Sequence, residues 1–244
     1  MDNLSISAAS GMRSRMESLD MLANNLANVE TGGYKADREF YSLFIGDDAS
    51  GDPRSGELAT LPVIESQWVD HSQGNLRTTS NPLDLAIDGD GYFPIQTPNG
   101  VRYTRNGSFR VSRAGTLATA DGDAVLAKLG QPINLQPGVD IEIAADGTVS
   151  QAGQPAGQID LTTFDRNTVQ KSGFNYYAPL AGATPRPATG IIAQGKLEQS
   201  NVGAAESAVR LVAIMRQFEM LQKAMSIGNE LNRRAVEEVA KVAA

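Results

Sequence analysis

Residues 21–35 of this chain are Met-Leu-Ala-Asn-Asn-Leu-Ala-Asn-Val-Glu-Thr-Gly-Gly-Tyr-Lys, and this stretch decides how the N-terminal end folds. Apolar residues recur every three or four positions from Met12 to Leu26, which predicts an amphipathic helix. Asn is an indifferent helix former, yet several crowd the last turns, and Thr31-Gly32-Gly33 supplies a glycine that can end the helix in the left-handed conformation. On the residues alone, an ordinary helix end capped by Asn explains these amides at least as well as an interface does.

A second, longer amphipathic helix is predicted near the other end of the chain. Ser200 or Asn201 is a candidate N-cap, and Glu206 places negative charge early in the helix. Its apolar positions are Val202, Ala205, Val209, Val212, Met215, Phe218 and Leu221. A narrow apolar stripe of this kind favours a partner helix. An ordinary terminal helix packed on its own domain is the alternative, and it loses weight because both ends of the chain carry such stripes.

Between the two helices the pattern changes. Residues 36–80 are predicted to form an irregular connecting region with one short extended run around Leu61–Val69. From residue 81 onwards, short strand-like runs alternate with closely spaced turns, such as Pro98-Asn99-Gly100, which predicts an antiparallel β domain. The predicted fold class is therefore α+β, with paired N- and C-terminal helices in a coiled-coil-like layer and an inserted β domain. The predicted domains are residues 1–35 plus 196–244, the connecting region 36–80, and the β domain 81–195.

The composition excludes several classes of function. A net charge of −7, with no basic cluster longer than Arg233-Arg234, argues against nucleic acid. The chain has no cysteine, so thiolate metal sites and cysteine nucleophiles are excluded, and no apolar stretch approaches the length that spans a bilayer. The single histidine, His71, lies directly beside Asp70 and Ser72, and adjacent side chains do not converge easily into a catalytic triad. We predict no enzyme activity, cofactor, metal or membrane insertion.

Four segments resemble the bacterial flagellar rod and hook proteins: residues 21–35, 81–93, 103–109 and 196–202. The resemblance implies a structural subunit of the basal-body rod that assembles with other rod proteins into a torque-transmitting shaft. It also implies export by the flagellar export apparatus without a cleaved signal peptide, and a location in the periplasm-spanning rod. The helical layer would form the inner wall of the rod, with the β domain outside it.

Within this family, Met1-Asp2-Asn3-Leu4 and Arg216-Gln217-Phe218-Glu219-Met220 are most similar to the proximal rod component. A distal rod protein remains an alternative, as does a function of another class, a secreted β-domain module for binding or adhesion. The predicted subunit interface comprises Leu22, Asn24, Asn25, Leu26, Asn28, Leu197, Asn201, Val209, Val212, Met215, Phe218 and Leu221.

Overall fold

The computed structural model describes residues 3–45, 60–165, 168–173 and 175–242. Helix α1 spans Asn3–Ala27 and helix α2 spans Ala204–Val242. The strands between them are β1 Asp37–Ile45, β2 Thr60–Val69, β3 Leu76–Thr78, β4 Leu85–Asp88, β5 Phe93–Thr97, β6 Gly100–Thr104, β7 Arg110–Val111, β8 Leu117–Ala118, β9 Ala124–Val125, β10 Ile141–Ile143, β11 Thr148–Gln151, β12 Gln154–Gln158, β13 Thr162–Thr163, β14 Val169–Lys171, β15 Tyr177–Pro179, β16 Arg186–Pro187, β17 Ile191–Gln194 and β18 Lys196–Glu198. The predicted α+β class, with one helix at each end and a multi-strand antiparallel region between them, is confirmed.

The chain divides into two compact units. The first, called the helical unit below, comprises Met1–Ala27, Asp37–Trp68 and Gly203–Ala244. The second, called the β unit, comprises Asn28–Ala36 and Val69–Val202. Residues 28–35 and 196–202, which the sequence pattern grouped with the helices, thus cluster with the β unit in a single chain. The three-part division drawn from the sequence stays a prediction about the assembled protein.

The helical unit contains α1, α2, β1 and β2. The two helices contact one another, α1 also contacts β1, and β1 pairs with β2 in a two-stranded sheet. The extended run predicted around Leu61–Val69 is confirmed as β2. The expectation that the connecting region is otherwise irregular is wrong for residues 37–45, which form β1 and pair with β2, the next strand along the chain. This run is rich in aromatic and aliphatic residues, which favour strands. Residues 46–59 of that region lie outside the described residues.

The β unit is built around a seven-stranded sheet in the order β14-β15-β6-β5-β9-β8-β7. The predicted hairpin at Pro98-Asn99-Gly100 joins β5 and β6, which pair from Phe93 opposite Thr104 to Thr97 opposite Gly100. The last strands before α2 return to the first strands of the unit, because β17 pairs with β4 and β18 pairs with β3. The Gly33 backbone N–H also donates to the oxygen of Glu198 in β18, so the residues that follow α1 lie close to those that precede α2.

The core of the β unit is apolar and closely packed. Leu85, Ile87, Phe93 and Ile95 have no exposed surface, and the ring of Phe93 meets that of Phe109 edge to face at 5.1 Å. Burying each large apolar side chain contributes about 1.5–3 kcal/mol. The β unit therefore has its own hydrophobic core, as an independently folding domain requires.

Candidate functional site

The buried side of α1 consists largely of small and polar side chains. Gly11, Ser14, Ser18, Leu22 and Asn25 are the buried positions, spaced three or four residues apart. The residues of α2 that are buried or partly buried at matching intervals are Ser207, Leu211, Ile214, Phe218, Leu221, Met225 and Gly228. A methyl group added at Gly11 would lie 3.5 Å from the side chain of Leu221, so these two positions face one another. Among residues 9–27 of α1, whose side chains the structure describes, Leu22 is the one large apolar side chain that is fully buried.

A second row of apolar residues on α2 lies on the opposite side from Ile214. Val209 is 72% exposed and Met220 is 63% exposed, while Ile214 is only 5% exposed. At 100° per residue, Val209 and Met220 differ by about 20° around the helix axis, while Val209 and Ile214 differ by about 140°. We call the row Val209, Met220, Ile227 and Leu231 the outer stripe; all four are exposed.

The predicted stripe of α2 does not form one face in the structure. Val209, Val212 and Met215 are exposed, whereas Phe218 and Leu221 are partly buried. Consecutive steps of three residues rotate by about 60° each around a helix that has 3.6 residues per turn. The stripe predicted from the sequence therefore winds from the outer side of α2 to the side that meets α1, and it combines two surfaces.

The amides of the N-terminal stretch have different surroundings. Asn25 is buried, and its Nδ2 donates to the backbone oxygen of Asp37 at 2.8 Å while its Oδ1 accepts from the Asp37 backbone N–H at 2.9 Å. This pair of bonds joins the end of α1 to the start of β1. Asn28 accepts a hydrogen bond from the hydroxyl of Thr31 at 3.1 Å, as a helix-end amide does. Asn24 is exposed, Leu22 is buried, and Leu26 is partly buried.

The stretch after α1 meets the stretch before α2 within the β unit. The Gly33 backbone N–H donates to the oxygen of Glu198 at 2.7 Å, and the Asn201 N–H donates to the oxygen of Tyr34 at 3.3 Å. Gly33 has φ +68°, and a Cβ there would lie 2.4 Å from the carbonyl carbon of Arg105. Only glycine fits this position, because both the left-handed backbone and the close approach exclude a side chain.

A cluster of three buried charges lies where these stretches meet. Lys35 Nζ contacts Glu198 Oε1 at 2.5 Å and donates to the backbone oxygen of Ser72 at 2.7 Å. Arg105 Nη1 contacts Glu198 Oε2 at 3.2 Å, and the Gly74 N–H donates to Glu198 Oε1 at 2.9 Å. The side chains of Lys35 and Glu198 have no exposed surface. One carboxylate thus pairs with two cations, and its removal would leave buried positive charge uncompensated.

Asn201 bonds to the backbone of two other chain segments. Its Oδ1 accepts from the Ala36 N–H at 2.7 Å, and its Nδ2 donates to the oxygens of Asp70 at 2.7 Å and Ser72 at 3.1 Å. The prediction that Ser200 or Asn201 caps α2 is therefore wrong for both residues, since α2 begins only at Ala204. The Asn201 amide is engaged elsewhere, and the Ser200 hydroxyl accepts from the Val202 N–H, which lies before the helix. We call Lys35, Arg105, Glu198 and Asn201 the clasp.

Burial around the clasp shifts the ionisation of its neighbours. Burial lowers the pKa of Lys35, and the nearby Glu198 carboxylate opposes this effect. Burial, followed by the positive charge of Lys35, lowers the pKa of His71 to about 4. His71 Nδ1 lies 2.8 Å from the hydroxyl of Tyr92, and burial raises the pKa of that hydroxyl to about 12. These groups form a hydrogen-bonded junction of buried and partly buried side chains.

Asn201 and Leu197 belong to the interface predicted from the sequence, whereas Lys35, Glu198 and Arg105 do not. Leu197 lies in β18, where it is partly buried. Lys35 and Glu198 are charged residues within the segments that resemble rod and hook proteins, and this placement was the sequence signal that could have identified them. Within the described residues, no group of three metal-binding side chains occurs, and neither helix has an apolar segment long enough for a membrane crossing.

Three family models match the chain. Residues 7–35 match the flagella basal body rod protein model, residues 86–151 match the flagellar hook protein FlgE/F/G D1 domain, and residues 193–238 match the C-terminal model of the flagellar basal body rod FlgEFG proteins. Individual relatives align along nearly the whole chain. The flagellar basal-body rod protein FlgG of Bacillus subtilis is 33% identical over 92% of this chain and 94% of its own length. The flagellar basal-body rod protein FlgF of Caulobacter vibrioides is 33% identical over 99% of this chain and 100% of its own length.

Proposed function

The chain belongs to the family of flagellar basal-body rod proteins, and from this premise we propose how its parts serve the rod. It is a structural subunit of the flagellar basal body that assembles with other rod and hook proteins, and it is not an enzyme. The adhesion-module alternative has no support among the relatives. The observation that carries the proposed mode of assembly is the outer stripe of α2, which a single chain leaves uncovered.

The helices pair, in this proposal, as an antiparallel coiled-coil-like layer. The approach of Gly11 and Leu221 supports an antiparallel register. From this contact, moving towards the C-terminus of α1 and towards the N-terminus of α2 places buried residues of the two helices opposite one another. The resulting pairs are Ser14 with Phe218, Ser18 with Ile214, and Asn25 with Ser207. A small residue then faces a larger apolar one in the middle of the seam, which allows close packing of the helices.

The subunit interface combines the predicted residues with the outer stripe. Val209, Val212 and Met215 are exposed in a single chain and would be covered by neighbouring subunits. Phe218 and Leu221 would instead hold α2 on α1 within each subunit. An exposed apolar row of this kind marks a protein interaction surface, because it is stabilised only when a partner removes it from water. Repetition of such contacts along the rod would convert modest contacts into a stiff shaft.

We infer that the subunit is of the FlgF type, the proximal component. The end-to-end alignment with the Caulobacter vibrioides protein, 99% of this chain and 100% of the relative, supports this assignment over a distal rod protein. The FlgG protein of Bacillus subtilis is equally identical, although its alignment covers 92% of this chain, so a distal rod protein is the alternative to be tested. Export through the flagellar export apparatus, without a cleaved signal peptide, also stays a proposal.

A deletion of the gene tests the function and the subtype together. Cells without the protein should not swim, and their purified basal bodies should stop before the distal rod, the rings and the hook. A complementing copy should restore all of these structures. Basal bodies that retain a complete proximal rod and lack only its distal extension would identify the chain as a distal rod protein. A complete hook on the deletion strain would refute a structural role in the rod.

A further inference from the structure

The clasp lies beside the points where the chain leaves the β unit. The residue ranges of the two units require the chain to pass between them four times, at residues 27/28, 36/37, 68/69 and 202/203. Any force carried along the chain from the helical unit to the β unit passes through these four links. The stretches of the β unit next to the links must therefore stay together under load.

Three of the four exits are joined by the side chain of Asn201. It directly precedes Val202 at the last link, it accepts from Ala36 at the second link, and it donates to Asp70 near the third. The buried carboxylate of Glu198 joins the same stretches through Lys35 and Gly74. Near the first link, Asn175 Nδ2 donates to the backbone oxygen of Gly32 at 2.7 Å.

We propose that the clasp is a positioning element that holds three of the four chain exits of the β unit together, so that torque enters this unit through these links at once. The inference rests on the proposed function as a rod subunit. Its physical basis is that the bonds act in parallel on separate backbone segments, and that one exit cannot shift without exposing buried charge or breaking several bonds. Asn201 is the residue on which this geometry depends most, because one amide group contacts the exits directly.

A side chain that only stabilises the fold could make the same hydrogen bonds as one that positions the chain exits. Gln194 provides a control that separates these two roles. Its side-chain amide also accepts one backbone N–H, that of Ile143 at 3.2 Å, and donates to two backbone oxygens, those of Pro82 and Ile141, each at 2.9 Å. These backbone contacts match those of Asn201 in kind and number, although Asn201 also donates to the hydroxyl of Ser72 at 3.1 Å. They lie away from the chain exits.

The test compares Asn201→Ala with Gln194→Ala in the full-length protein. In hydrogen exchange, N201A should exchange the Ala36 amide at least about tenfold faster, whereas Q194A should release Ile143 and leave Ala36 protected. Slow exchange of the β5 amides in both variants would establish that both are folded. An Ala36 amide that exchanges no faster in N201A would show that Asn201 does not hold this exit.

The same two variants are then expressed from the native locus, and swimming is recorded in media of increasing viscosity. Both proteins should be present in purified basal bodies, and N201A cells should stop swimming at a viscosity at which Q194A cells still swim. Equal swimming of the two strains, or loss of N201A protein from the basal bodies, would overturn the inference. A deletion strain that swims would refute the proposed function itself. If the deletion strain does not swim but the N201A and Q194A strains swim equally well, only the role of the clasp is refuted.

Discussion

At the scale of single residues, the buried carboxylate of Glu198 should contribute strongly to the stability of the β unit. Changing Glu198 to Gln keeps the shape but leaves Lys35 and Arg105 buried without a counter-charge. We expect the free energy of unfolding to fall by about 3–5 kcal/mol in urea denaturation. The matched control, Glu142→Gln, removes an exposed carboxylate from the same unit and should change it by less than about 0.5 kcal/mol. Equal effects of the two substitutions would contradict the importance of the buried cluster.

His71 should make the stability of the protein depend on pH. Its pKa is about 4 in the folded chain against 6.5 ordinarily, so the unfolded chain binds the proton more readily between these values. The contribution is fully present above pH 6.5 and is lost as the pH falls through 4. After a discount for partial exposure, we expect a loss of about 1–2 kcal/mol across this window. Wild type and His71→Gln should differ in their pH slopes, and identical slopes would show that His71 titrates normally.

At the scale of one element, α2 has two apolar sides with different roles. Met220 lies on the outer stripe, so Met220→Glu should change the stability of the single chain by less than about 0.5 kcal/mol. The same change should prevent incorporation into basal bodies, because it places a charge in the proposed subunit contact. Gln222→Glu adds the same charge at another exposed position of α2 and should assemble normally. Normal assembly of M220E would place the subunit contact on another surface.

At the scale of the whole molecule, the two units should differ in stability. The seam side of α1 buries mostly glycine, serine and asparagine, whereas the β unit has a large apolar core. Amphipathic helices with little buried apolar surface are marginal until a partner covers them. In hydrogen exchange on the isolated protein, α1 and α2 should exchange well before β5 and β6. In purified rods, all four elements should be protected, and slow exchange of the helices in the isolated protein would refute ordering on assembly.

The sequence by itself determined the local elements and the family. The turn at Pro98-Asn99-Gly100 was predicted correctly, because turn chemistry depends on neighbours a few residues apart. The predicted glycine stop was placed too late: Gly33 does take the left-handed conformation, but α1 already ends at Ala27, six residues earlier. The resembling stretches are likewise continuous segments, so their match to rod proteins needed no structure.

Only the tertiary structure decided which side of α2 faces α1 and what the charged residues of the resembling stretches contact. Lys35 and Glu198 are 163 positions apart, and Ala36 and Asn201 are 165 apart, so no local pattern could pair them. Asn201 is a plausible helix cap from its neighbours alone, yet the return of β18 to β3 places it beside other backbone segments. Local sequence determines which elements form, whereas the partner of a buried polar group depends on which distant segments the fold brings together.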